Sequence, residues 1–103
     1  METQTEKKSI LKVTGTITWI SEIITGVNQQ GNQWTRRNFL LEVDDNGFKN
    51  TIGFQSWGSQ AEIISRSKIG DGATVYFTPI SKMHDGKIYT ELKAYGINLK
   101  FNV

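Results

Sequence analysis

The chain has no cysteine and a single histidine among its 103 residues. The first absence excludes a disulfide framework, a thiolate zinc site and a cysteine nucleophile, and it mildly favours a reducing compartment. The lone His84 lies in His84-Asp85-Gly86, where turn chemistry accounts for the neighbours. No second histidine supplies metal-ligand spacing. The glycines are dispersed, forming neither a G-x-x-x-x-G-K-S/T phosphate loop nor a G-x-S-x-G nucleophile turn. Apolar runs are short of the roughly eighteen residues that a membrane span needs, and Met1 to Lys8 has no apolar core of a secretory signal. A large charge excess is missing too: the formal charge is +2 and the pI about 9.0. These absences argue against an enzyme, any metal or cofactor, and a membrane partner. They leave a cytoplasmic binding protein as the expectation.

What the sequence has is a β-branched bias: twelve Ile, five Val and eleven Thr against five Leu, suited to pleated, half-buried strands. Residues 1–8 are polar and unpatterned, which predicts a disordered N-terminal arm before one domain over 9–103. Residues 10–24 predict a long first strand, with Val13, Ile17 and Trp19 alternating against threonines and Gly15 permitting a bend. A polar loop over 25–33 follows, then strands over 34–43 and 48–57 joined by the Asp44-Asp45-Asn46-Gly47 hairpin signal. Residues 58–67 predict a short helix with Ala61 and Ile64 on its apolar stripe and a Ser59–Glu62 capping box. Two more strands, over 73–80 and 88–99, form a hairpin around the His-Asp-Gly turn. The order β-β-β-α-β-β predicts an all-β protein: a five-stranded OB-fold Greek-key barrel with one short helix between strands three and four.

Such a barrel has one open face, built on its middle strands. Because side chains alternate along a strand, Ile52 and Phe54 inward place Lys49, Thr51, Gln55 and Trp57 outward. Phe39, Leu41 and Val43 inward place Arg36, Asn38 and Leu40 outward, with Trp34 and Arg37 near the strand start, where parity is least fixed. Phe39, Phe54, Phe77 and Trp19 are assigned to the core. Lys82 and Lys87 flank the last turn and, with Tyr89, are placed at the rim of the face. Flat rings beside cations are what single-stranded nucleic acid asks for: bases stack on the rings and phosphates pair with the cations. The candidate nucleic-acid-binding set is therefore Trp57, Trp34, Arg36, Arg37, Asn38, Lys49, Gln55, Lys82, Lys87 and Tyr89.

The run from Ile52 through Pro79, IGFQSWGSQAEIISRSKIGDGATVYFTP, and the later DGKIYTEL resemble the bacterial single-stranded DNA-binding protein family. Trp57-Gly58, Ala61-Glu62, Gly70 and Val75-Tyr76 occupy matching places across about two fifths of the chain. The resemblance implies that Trp57 fills the place of a base-stacking aromatic, and that the protein is a homo-oligomer, a dimer or tetramer. It departs from the family where a second stacking aromatic would fall near Thr51, and in a shorter last hairpin without Trp. The chain also runs out at Asn102-Val103, where housekeeping members carry a linker and an acidic tip. A mobile-element version or a small OB family of the Bacteroidetes type would fit that ending. The leading reading is sequence-tolerant binding of single-stranded DNA. An OB module for protein assembly, with Trp57, Trp34 and Phe48 in a buried interface, and a binder of single-stranded RNA remain open alternatives.

Overall fold

The protein is described here by a computed structural model over residues 11–100. The expected arm at residues 1–8 lies outside the described residues. Six strands and one helix follow in order: β1 (Leu11–Ile20), β2 (Ile24–Val27), β3 (Gln33–Asp45), β4 (Phe48–Trp57), α1 (Ser59–Ser65), β5 (Gly72–His84) and β6 (Lys87–Lys100).

The alternation read from the sequence becomes real burial. Ile17, Phe39, Leu41, Phe54, Ala73, Val75, Ala94 and Ile97 point into one core. Each large apolar side chain buried there stabilises the fold by about 1.5–3 kcal/mol. Phe39 and Phe54 face each other in register across β3 and β4 with ring centroids 5.4 Å apart, and Phe77 meets Phe54 edge-on at 5.2 Å. Ser56 is buried beside this core, and its hydroxyl donates to the Arg37 carbonyl at 2.6 Å.

The strand pairings close on themselves. β1 pairs antiparallel with β5 through Leu11–Thr16 and then with β3 through Thr16–Ile20. β3 pairs with β4, β5 with β6, and a short parallel contact at Gln55–Lys93 and Ser56–Ala94 joins β4 to β6. The circuit β1-β3-β4-β6-β5-β1 is the Greek-key connectivity of the OB-fold. Gly15 makes the crossing of β1 possible, because a Cβ there would meet the Glu42 carbonyl oxygen at 2.3 Å. No helix among the described residues is long and apolar enough to cross a membrane.

Three details differ from the sequence reading. The expected first strand is broken at residues 21–23. The Ser21 N–H donates to the Asn38 carbonyl at 2.8 Å and its hydroxyl accepts from the Asn38 N–H at 2.9 Å, so the chain turns and β2 starts a hairpin with β3. The polar loop is correspondingly shorter: the Asn28 side-chain oxygen accepts from the N–H groups of Gln30 and Asn32, closing a tight connection. The capping box is not formed. Gly58 is the N-cap and no side chain caps the helix, although Ala61 and Ile64 are buried as expected.

The third correction concerns Trp19, which is 46% exposed and outside the core. Ile17 pairs with Leu41, but Trp19 pairs with Leu40, so a bulge at Thr18 shifts the register. One extra residue reverses the parity of everything after it. Trp19 thus leaves the interior and joins the outer face.

Candidate nucleic-acid interface

Outward-facing residues of β3 and β4 stand in rows fixed by the register. Arg36 is opposite Trp57, Asn38 opposite Gln55, Leu40 opposite Gly53, and Asp44 opposite Lys49. On the far side of β4, Lys93 of β6 is in register with Gln55. The result is a compact cluster at the helix-proximal end of the sheet. The Trp34 and Trp57 ring centroids are 5.3 Å apart, tilted by 54°. The Arg36 guanidinium carbon lies 5.3 Å from the Trp57 centroid, and the Lys93 ammonium lies 5.7 Å from it. Cations at such distances are attracted by the ring quadrupole.

The tryptophans are held from beneath. Gly26 of β2 pairs with Trp34, and a Cβ at Gly26 would fall 2.3 Å from Trp34 Cζ2, so the indole lies against bare backbone. Both tryptophans are half-buried. Trp57 Nε1, Arg36 Nε and Asn38 Oδ1 are buried without a hydrogen-bond partner among the described residues.

Next to this cluster the outer surface dips into a groove of about 250 Å³. Its lining includes Trp19, Asn38, Leu40, Gly53, Gln55 and Leu92. It exists because Gly53 has no side chain to fill the row between Leu40 and β6. A second cleft, of about 300 Å³, lies at the other end of the sheet against Thr14, Thr16, Glu42, Asp44 and Lys49. With two carboxylates to one ammonium, it suits an anion poorly.

Among the sequence-derived candidates, Trp57, Trp34, Arg36, Asn38 and Gln55 come together. Lys82 pairs with Tyr89, and Lys87 with His84, on the protruding β5–β6 hairpin. By strand alternation Lys87 and Tyr89 share the side of β6 that carries Lys93, extending the face along the arm. Arg37 and Lys49 are not part of it. Arg37 has the opposite parity: its Nε donates to the Ser21 carbonyl and its guanidinium to Ser65 Oγ, both at 2.7 Å, tying the β1–β2 bend to α1. Lys49 lies eight residues from Trp57 along β4, or about 26 Å at strand rise, opposite Asp44. Sequence reasoning missed Lys93 and Trp19. Lys93 becomes visible only through the parallel β4–β6 contact, and Trp19 only through the bulge.

A family model described as a domain of unknown function, DUF3127, matches residues 12–98. No curated protein matches the sequence. Among solved structures, the mitochondrial single-stranded DNA-binding protein Rim1 of S. cerevisiae aligns with a TM-score of 0.67 at 15% identity, over 91% of this chain and 98% of that one. A deletion mutant of the single-stranded DNA-binding protein from Thermus aquaticus aligns at 0.64 with 18% identity, covering 89% of this chain and 40% of that one. The second single-stranded DNA-binding protein of Mycobacterium smegmatis gives 0.52 at 16% identity, over 88% and 84% of the two chains. The resemblance expected from Ile52 onward is thus met in the fold. The chain belongs to the DUF3127 family and carries the OB-fold of single-stranded DNA-binding proteins.

Proposed function

We propose that this protein is a non-catalytic binder of single-stranded DNA. The observation that carries the reading is the Trp34–Trp57 pair with Arg36 and Lys93 against it, on the outer face of β3, β4 and β6. Bases stack on Trp57 and Trp34 while Arg36 and Lys93 meet phosphates, with Lys82, Lys87 and Tyr89 guiding the strand along the hairpin arm. Asn38 and Gln55 lie between the rings and the groove. Stacking and phosphate contacts carry no base code, so most of the affinity is sequence-tolerant.

The fold shared with single-stranded DNA-binding proteins supports this reading. An assembly interface built from Trp57, Trp34 and Phe48 is less well supported. Phe48 is 75% exposed at the β3–β4 hairpin tip, nine residues from Trp57. That is about 30 Å along the strand, too far for one patch. We further propose a homo-oligomer, dimer or tetramer, in the cytoplasm. The exposed Met83 and Ile88, directly opposite each other on the hairpin, support self-association, which sedimentation would measure.

The test of the binding reading is a titration of intrinsic tryptophan fluorescence with oligothymidylate, at low and moderate salt, with duplex as control. Saturable quenching that weakens with salt and is absent with duplex is the expected result. No quenching at either salt overturns the reading in favour of a protein-assembly module, and stronger quenching by oligouridylate of the ribose series replaces DNA with RNA as the ligand.

A further inference from the structure

The groove beside the tryptophan pair is chemically asymmetric. One wall is the half-exposed indole of Trp19 on β1, in register with Leu40. The floor is the backbone of Gly53, where a Cβ would have only Leu40 Cδ2 nearby, at 3.4 Å. Across from these stand Asn38, Gln55 and, from β6, Glu91. At about 250 Å³ it is smaller than the roughly 300–1,000 Å³ of a drug-sized site. One planar ring fits; a run of nucleotides does not.

The one charged side chain lining it, among the described residues, is Glu91. The Asn38 amide lines the groove too, with its Oδ1 itself buried. A Glu91 carboxylate can only accept. Arg36 stands one row away, opposite Trp57, and Lys93, in register with Gln55, has its ammonium 5.7 Å from the Trp57 centroid. A carboxylate meets an exocyclic amino group well and a carbonyl oxygen badly, which is why carboxylates read cytosine N4 on base edges. The Gln55 amide can in turn donate to the ring nitrogen adjacent to that amino group, which is an acceptor in cytosine and adenine but an N–H in thymine.

We propose that this groove is a single-base subsite, in which Trp19 stacks on the base and Glu91 accepts from its exocyclic amine, so that cytosine and adenine are favoured over thymine. The subsite rests on the single-strand reading above and adds to it a modest base preference. A base unstacked from its neighbours presents its Watson–Crick edge freely, as this geometry requires.

Oligodeoxycytidylate and oligothymidylate of equal length, neither strongly self-stacked, are compared by tryptophan quenching at one salt concentration. Oligodeoxyuridylate controls for the thymine methyl group. The cytidylate is expected to bind roughly five- to tenfold more tightly, the low end of what a direct base-edge contact contributes. In Glu91→Gln, which exchanges an acceptor for an amide at an exposed site, and in Gly53→Val, which fills the floor, the ratio falls toward one. Circular dichroism verifies that both variants are folded. Equal affinities in the unaltered protein, or an unchanged ratio in both folded variants, overturns the subsite and leaves single-strand binding standing. Failure of every oligonucleotide to bind overturns both.

Discussion

Arg36 stands directly across the β3–β4 ladder from Trp57, with its guanidinium carbon 5.3 Å from the indole centroid. Arg37, one residue further on, points through the sheet to Ser21 and Ser65. Two adjacent arginines therefore have separate roles, set by strand parity alone.

Their substitution should separate these roles. Arg36→Gln is expected to reduce the slope of log affinity against log salt by about 0.7, the amount for one lost phosphate contact on a single strand. Lys93→Gln should do the same. Arg37→Gln should leave the slope unchanged and lower stability by about 1.5–3 kcal/mol, as hydrogen bonds to charged groups contribute. Salt-dependent titrations and urea melts of the three variants check both halves.

Trp57→Ala removes the ring shared by Arg36, Lys93 and Trp34. Binding of oligothymidylate is expected to weaken by about 1–3 kcal/mol, the contribution of one base stack. The far-ultraviolet circular dichroism should be retained, because the ring lies outside the core cluster. Unchanged affinity would remove Trp57 from the interface.

Gly26→Ala places a methyl group where the Trp34 ring now lies, at 2.3 Å from Cζ2. The indole must swing away from β2 or the strands must part, costing about 1–3 kcal/mol in overpacking. We expect a red-shifted tryptophan emission together with weaker binding. A variant with unaltered emission would mean that Trp34 is not held by this contact.

Gly15→Ala tests the crossing of β1. Its Cβ would meet a backbone oxygen, Glu42 O, at 2.3 Å, and backbone yields less readily than a side chain. A loss of at least about 1–3 kcal/mol is expected from such a clash. It should appear as a lower urea midpoint, because β1 has to bridge β3 and β5 for the circuit to close.

Much of this architecture was legible because it rests on local rules. The alternation of Phe39, Leu41 and Val43 against Arg36, Asn38 and Leu40 fixed which side of β3 faces the core, and hydrophobic burial enforces that parity throughout the strand. Asn46-Gly47 and Asp85-Gly86 marked both long hairpins, and residues at all four positions take the positive φ that such turns require. The capping box was misread since Ser59 and Glu62 have the right spacing, yet the chain leaves β4 through Gly58 at φ 55°, which takes the N-cap position instead.

By itself, the sequence determined an all-β chain with one helix before its last two strands, the inward sets of β3 and β4, and the placement of Trp57 and Arg36 on one face. All of these follow from period-two patterning and turn chemistry acting over a few residues. Tertiary structure decided what depends on partners distant in the chain. The break of β1 at Ser21 needs Asn38, the exposure of Trp19 needs a bulge against β3, and the arrival of Lys93 beside Trp57 needs the parallel contact between β4 and β6. Those contacts join residues far apart in sequence, whose register is set by packing around a shared core and leaves no mark in either segment alone.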